Sequence, residues 1–379
     1  MKILTLTTYL GYNYGASLQA YALQTYLKKQ GHDSKIIRLE FEYLMRYYAF
    51  WYVNPESKLS KNFITRMIYR IAKWCQRRTT LKRKEVFDFF NHKVLDETDV
   101  YKEREQLYIN PPKADIYICG SDQIWNVLYE AGQDPVFYLD FVKEGKKASY
   151  AASFSYLNIP INHYDRIYHS LKSFDGISVR EYHGKELLDK MGLESTWVLD
   201  PVFLLSLDDW NSLLKRKDIL RYENDEIEDK KFLLVYDFEL GNERLKNFAQ
   251  SYAIKHGLKI YAIVDRFPLS YAEKNFKNAG PVDFVRLIKS CSAFVSNSFH
   301  GTVFSIMYHK PFYVFNRRFH EVNSRMESLL SAFDLKDTLM DSEEKIVNSD
   351  KMNFDWIHVE KLKAEKLKSS INFLRKIGV

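Results

Sequence analysis

Four short polar stretches carry the residue types that could do chemistry. Ser298-Phe299-His300-Gly301-Thr302 follows the apolar run Ala293-Phe294-Val295 and precedes a second apolar stretch with Val303, Phe304, Ile306 and Met307. The pattern is strand, polar loop, helix; Lys310-Pro311 stops the helix, and Phe312 to Phe315 reads as a further strand. A loop between the carboxyl end of a strand and the amino end of a helix is where α/β sheets take ligands. The free N–H groups and positive dipole end of the helix favour an anion there. His300 can donate a proton or bind a phosphate oxygen, and Gly301 lets backbone approach a ligand closely. The plainer alternative is a strand–helix turn with a capping histidine. Gly120-Ser121-Asp122-Gln123-Ile124-Trp125-Asn126 follows the strand pattern Ala114 to Cys119 in the same way. Arg180 and Glu181 end the strand pattern Gly176 to Val179, and Asp200-Pro201 ends Thr196 to Leu199. An arginine fork at a strand end suits a carboxylate or phosphate; the competing reading of Arg180 is a surface ion pair with Glu181 or a neighbour.

The elements that must position these residues are α/β in type. The chain opens with strand Ile3 to Thr7, a Gly/Asn-rich loop Tyr9 to Gly15, helix Ala16 to Lys29 and strand Lys35 to Leu39. That is a βαβ unit of the kind found in phosphate-handling domains, although it lacks G-x-G-x-x-G. Lys147 to Phe154 reads as another strand and Gly184 to Met191 as a helix. A second unit begins with strand Phe232 to Tyr236, helix Glu243 to His256, strand Lys259 to Val264 and helix Val282 to Lys289. The spacing of Trp356, Val359, Leu362, Leu367, Ile371 and Leu374 predicts a last helix over Trp356 to Ile377. The expected division is an N-terminal domain at 1–214, a charged linker at 215–231, and a C-terminal domain with the terminal helix at 232–379.

Residues 41–112 read as a helical, basic insertion in the first domain. Between Lys58 and Lys84 ten residues are Lys or Arg and none is Asp or Glu, while Phe63, Met67, Ile71 and Trp74 recur at helical spacing. A basic amphipathic helix suits an anionic membrane surface; the blander reading is a solvated face packed on its domain.

Composition narrows the function. The chain has 379 residues, enough for two domains, and its 46% hydrophobic content supports real cores. Aromatic residues reach 16%, which suits cores first and sugar-binding clefts second. The net charge of +7 fits anionic substrates or a membrane surface and is too small to argue for nucleic acid. Cys75, Cys119 and Cys291 are widely spaced, and no metal-ligand spacing appears, so a reduced, cytoplasmic protein without a metal is expected. The opening MKILTLTTYLGYNYG turns polar at once and reads as a first strand, not a signal peptide.

The motifs, taken together and in this order, resemble the polysaccharide pyruvyl transferase family. They are Asn13-Tyr14-Gly15-Ala16-Ser17-Leu18-Gln19-Ala20-Tyr21-Ala22-Leu23, Cys119 to Asn126, Ile177-Ser178-Val179-Arg180-Glu181 with Asp200-Pro201, and Ser298 to Thr302. The resemblance covers about residues 1–330. It implies an α/β, GT-B-like fold, two Rossmann-like domains facing across a cleft. It also implies transfer of pyruvate from phosphoenolpyruvate, as a ketal, to a sugar of a polysaccharide or glycan precursor, with no cofactor. The expected acceptor is a lipid-linked or nucleotide-linked sugar, and the expected location is cytoplasmic, with possible peripheral contact at the inner membrane face through residues 58–84.

In that reading the first domain takes the acceptor. His300, Asp122 and Asp200 are the catalytic candidates: His300 as acid or phosphate ligand, the two aspartates as bases or sugar-hydroxyl binders, with helix capping as the alternative for Asp122. Arg180, Ser298, Phe299, Gly301, Thr302 and Arg325 are donor-side candidates. Asn13, Tyr14, Gly15, Gln19, Gln123 and Trp125 are acceptor-side candidates; a plain loop role for Asn13 and a helix-surface role for Gln19 compete. Many members carry an arginine where this chain has Ser298, so Arg317, Arg318 and Arg325 are the candidates to supply that anion contact. Two other classes stay open: a GT-B glycosyltransferase using a nucleotide-sugar, and a non-catalytic glycan-binding member of the fold, which Ser298 favours.

Overall fold

The structure is a computed structural model that describes residues 1–45, 62–156, 159–222, 227, 231–239, 241–265, 267–317, 323–349 and 352–379. Apolar runs bounded by turn residues build two parallel sheets. The first contains β1 (Lys2–Leu6), β2 (Asp33–Leu39), β3 (Glu97–Tyr101), β4 (Ile116–Cys119) and β5 (Lys146–Ser149), in the order β3-β2-β1-β4-β5. The short parallel pair β6 (Ser178–Val179) and β7 (Thr196–Trp197) continues it, through bridges from Ala148 to Gly176 and from Ala152 to Val179. The second sheet contains β8 (Phe232–Tyr236), β9 (Lys259–Val264), β10 (Lys274–Lys277), β11 (Ala293–Ser296) and β12 (Phe312–Val314), in the order β10-β9-β8-β11-β12. Both orders are that of a doubly wound sheet. In each, the strand order reverses beside the opening strand: between β1 and β4, and between β8 and β11.

Local chemistry sets the helices that matter. Asn13 caps the helix Tyr14–Lys29, its side-chain oxygen accepting from Gly15 N and Ala16 N. Ser298 does the same for Phe299–Met307 by accepting from Gly301 N. Within the stretch read as an insertion, Asn62 and Thr65 form a capping box that starts one helix of 32 residues, Phe63–Val94. The same stretch holds β3, which pairs with β2 at the edge of the first sheet, so only part of 41–112 leaves the fold.

One hydrophobic core reaches across both units. Tyr12, Tyr14, Leu18 and Ala22 of the first pack with Phe284, Val285, Phe299, Val303 and Phe304 of the second. Tyr14 stacks on Phe284 with centroids 4.5 Å apart, and Trp210 meets Phe304 edge-on at 4.9 Å. The described residues of the expected linker are docked: Ile219 and Ile227 lie in this core, and Arg221 N and Tyr222 N donate to Asp283 Oδ1 at 3.2 and 3.3 Å. The terminal helix Trp356–Ile377, expected with the second unit, starts there and ends on the first. His309 stacks on Trp356 at 5.1 Å, whereas Phe373, Leu374 and Ile377 pack with Ile3, Leu23 and Ile116.

Candidate active site

The reversal points of the two sheets face each other, and the polar loops that follow their strands meet there. From the first unit come Asp122 and Gln123 after β4, Arg180 after β6 and Asp200 after β7. From the second come Phe299 and His300 after β11, with Arg325 in the helix Ser324–Ala332. Arg180 is buried and binds two carboxylates: Nη1 donates to Asp200 Oδ2 at 2.9 Å and Nη2 to Asp122 Oδ1 at 3.1 Å. The reading of Arg180 as a surface ion pair with Glu181 or a neighbour is corrected: the pair is buried, and its partners are Asp122 and Asp200. Glu181 Oε1 instead accepts from Phe154 N at 2.8 Å, Ser155 N at 3.0 Å and Ser153 Oγ at 3.1 Å.

Asp200 links this arginine to the histidine. Its Oδ1 accepts from Val202 N at 3.0 Å, and its Oδ2 lies 3.3 Å from His300 Nε2, inside ion-pair range but off the line of a hydrogen bond. Burial alone would raise the Asp200 carboxyl; His300, Arg180 and the Val202 N–H hold it well below the usual carboxylate range. Burial likewise works to raise Asp122, and Arg180, His300 and Arg325 together hold it below its ordinary value. Both aspartates are therefore charged in the folded protein. Asp122 sits at φ +71°, in the left-handed region that a non-glycine residue occupies only when its surroundings hold it there.

Arg325 provides the second buried guanidinium. With the Gln123 amide turned so that its carbonyl faces the arginine, Nη1 and Nη2 donate to it at 2.6 and 2.8 Å, while Asp122 Oδ1 is 3.8 Å away. Its immediate partner is thus a neutral amide. Burial, and then the nearby Arg180, push Arg325 down to about 10, with Asp122 opposing. The Phe299 ring lies under both cations, 4.6 Å from the Arg180 guanidinium and 5.6 Å from that of Arg325. Arg317 is engaged elsewhere, donating from Nε to Glu239 Oε1 at 3.2 Å and lying over Phe238. Arg318 falls outside the described residues.

Gly15 brings the first helix onto the histidine. A Cβ built at Gly15 would lie 1.8 Å from His300 Nδ1, so only glycine leaves room for the ring. Gly301, expected to let a ligand approach, instead lets Phe294 approach: a Cβ there would lie 2.5 Å from that ring. Other expected ligand contacts are used inside the protein. Trp125 is fully buried, stacked near Tyr138, with Nε1 donating to Phe137 O at 3.2 Å, and so faces no acceptor. Gln19 is no surface residue; it donates to Thr7 Oγ1 at 2.9 Å and accepts from Ser121 N at 3.2 Å, bracing two loops. Tyr14 points to Arg83 and Asp265, and Thr302 Oγ1 donates back to Ser298 O at 3.1 Å. Ser298 and Asn13 are helix caps.

Sequence reasoning overlooked the partners of the site more than the site itself. Glu181 as a brace and the Gly15–His300 contact went unread, though both lie inside the quoted motifs. The buried thiols add no nucleophile, since burial pushes Cys291 up to about 12 and Cys119 higher still. Among the described residues no group of three or more His, Cys, Asp or Glu could hold a metal, and no helix is long and apolar enough to cross a membrane.

Two doubly wound units with their reversal points facing across a shared cleft define the GT-B-type class of α/β fold. The chain superposes at a TM-score of 0.50 and 12% identity on the UDP-GlcNAc 2-epimerase of Neisseria meningitidis solved with UDP-GlcNAc, covering 99% of each chain. A second UDP-N-acetylglucosamine 2-epimerase gives the same score and identity, over 98% of this chain and 94% of the other. At that identity the likeness is one of fold. The chain belongs to the polysaccharide pyruvyl transferase family, whose sequence pattern it matches over residues 13–318. A comparison with curated protein sequences gives no match.

Proposed function

We propose that the protein transfers the pyruvyl group of phosphoenolpyruvate to two hydroxyls of a sugar in a polysaccharide or glycan precursor. The observation that carries this reading is Arg325, a buried cation beside Arg180 whose direct partner is a neutral amide. Such a group favours an anion, and phosphoenolpyruvate brings a carboxylate and a phosphate. Arg325 also offers the anion contact for which Ser298 has no charge.

The reaction adds a proton to the donor's methylene carbon while one sugar hydroxyl attacks the central carbon. Loss of hydrogen phosphate and attack by the second hydroxyl close the ketal. The methyl group gains one proton and the leaving phosphate carries the other, so the two hydroxyl protons are accounted for. In this proposal His300 handles the proton given to the donor or the phosphate oxygen. Asp200, occupied on both oxygens, holds His300 and Arg180 in place. Asp122 is the candidate base beside Gln123, and the acceptor lies toward Gly15 and Gln123. No step needs a cofactor.

The test is release of phosphate from phosphoenolpyruvate with a panel of lipid-linked and nucleotide-linked sugars, using the wild type and His300→Ala. Release that depends on both the sugar and His300 is expected. Thermal shift tests the donor: phosphoenolpyruvate alone should raise the melting temperature, and no shift at saturating phosphoenolpyruvate would favour the competing classes. Equal turnover by a folded His300→Ala protein would remove the histidine from the mechanism.

A further inference from the structure

The helix Phe63–Val94 carries its apolar side outward. Phe63, Ile64, Ile71 and Trp74 are 75%, 71%, 57% and 62% exposed, and Met67 and Ile68 join them. At 3.6 residues per turn these six positions fall within an arc of about 140°, along about 17 Å of helix. Thr65 and Tyr69, on the other side, are only partly exposed. An amphipathic helix packed on its own protein turns its apolar side in; this one leaves its apolar side exposed over its first three turns.

Along the helix itself, from Phe63 to Lys84, the charged residues share one sign. Arg66, Arg70 and Arg77 run along one edge of the apolar row, and Arg78 and Lys82 extend it; Arg66, Arg77, Arg78 and Lys82 are exposed. No Asp or Glu occurs between Asn62 and Lys84. The far half of the helix is firmly held. Phe87 and Phe90 lie in the shared core, and Arg83 Nη1 donates to Asp265 Oδ1 at 2.6 Å while its Nη2 donates to Tyr12 O at 2.7 Å. The exposed turns therefore project from an anchored base.

We propose that residues 63–82 dock the protein on an anionic lipid bilayer, with Phe63, Ile64, Met67, Ile68, Ile71 and Trp74 entering the headgroup–acyl boundary and the basic residues meeting lipid charge. Apolar residues flanked by cations are what such a surface recognises; a neutral protein partner would leave the charges unmatched. Each basic residue near the surface strengthens binding roughly fivefold, and salt removes that share. The surface is separate from the pyruvyl-transfer site and does not depend on its assignment.

The test is sedimentation of the full-length protein with vesicles of phosphatidylcholine alone and of phosphatidylcholine with phosphatidylglycerol in equal parts, at low and high salt. The expected result is at least about tenfold tighter binding to the anionic vesicles at low salt, lost at high salt. Ile64→Ser with Ile68→Ser and Trp74→Ser should lower that binding about tenfold with the melting temperature unchanged. Arg66→Gln with Arg77→Gln should weaken binding to the anionic vesicles about tenfold or more and leave binding to the neutral vesicles unchanged. Failure of the wild type to sediment with either vesicle, or equal binding by the serine variant, overturns the proposal. So does self-association in light scattering that the serine variant abolishes, which would assign the row to a second copy.

Discussion

At the residue scale, the site is a chain of buried charges, Arg325–Asp122–Arg180–Asp200–His300, and its behaviour follows from which groups are held rigidly. Gly15 is the most exposed to test. Gly15→Ala would place a methyl group where the His300 ring sits. The ring must move by an ångström or so, which should lower turnover about 10²-fold, while overpacking lowers stability by about 1–3 kcal/mol. Rate and melting temperature measured together check this; an alanine variant with wild-type turnover would show that the ring has room to spare. The aspartates predict the acid limit of the fold. Asp122 and Asp200 are both held below the ordinary carboxylate value of 3.8. The stability they contribute is therefore fully present above that pH and is lost as pH falls below it, when the folded state must take up protons its cations oppose. Urea midpoints should stay level from neutral pH to about 4 and then drop. Asp200→Asn should already be less stable at neutral pH, by about 3 kcal/mol, because it leaves Arg180 short of a partner in the interior. These four residues, Asp122, Arg180, Asp200 and His300, were legible because each lies in a polar stretch that follows an apolar strand pattern. Trp125 and Gln19 were not, because their partners, Phe137 in one case and Thr7 and Ser121 in the other, are set by tertiary packing that spacing does not encode.

At the scale of elements, the helix Phe63–Val94 acts as a strap held by the buried rings of Phe87 and Phe90 and tied by one guanidinium. Arg83 ties Tyr12, Tyr14 and Asp265 together and lies over the Phe87 ring at 4.7 Å. Arg83→Met keeps much of the side-chain stem but leaves Asp265 without its cation. Loss of the tie should loosen the basic turns and speed tryptic cleavage between Arg66 and Lys82 about tenfold, with the rest of the chain unaffected. An unchanged cleavage rate would mean that Phe87 and Phe90 alone hold the helix. The sequence pattern announced this helix through Phe63, Met67, Ile71 and Trp74 but not the exposure of its apolar side, since periodicity says that a face exists and not which way it looks. Most strands were readable as apolar runs. β3 and β10 were not: Glu97-Thr98-Asp99-Val100-Tyr101 and Lys274-Asn275-Phe276-Lys277 are edge strands, partly solvated and too polar to stand out.

At the scale of the whole molecule, the two sheets are halves of one body. Tyr14 against Phe284, Trp210 against Phe304 and the crossing helix Trp356–Ile377 place their packing on both sides of the cleft. Neither half can lose structure without exposing the other's apolar surface. Far-ultraviolet dichroism and tryptophan fluorescence should therefore report a single coincident transition in urea; two separated steps would show that the halves fold independently. The same joint bears on how the enzyme works through time. Two-lobed enzymes often swing shut on their substrates, and each swing pushes solvent aside. Here the hinge is filled with stacked rings, so the machine has little stroke. Turnover limited by chemistry or by small loop movements does not feel the drag of the medium. The rate constant kcat should stay level as sucrose thickens the buffer, and a proportional slowing would reveal that the lobes do travel.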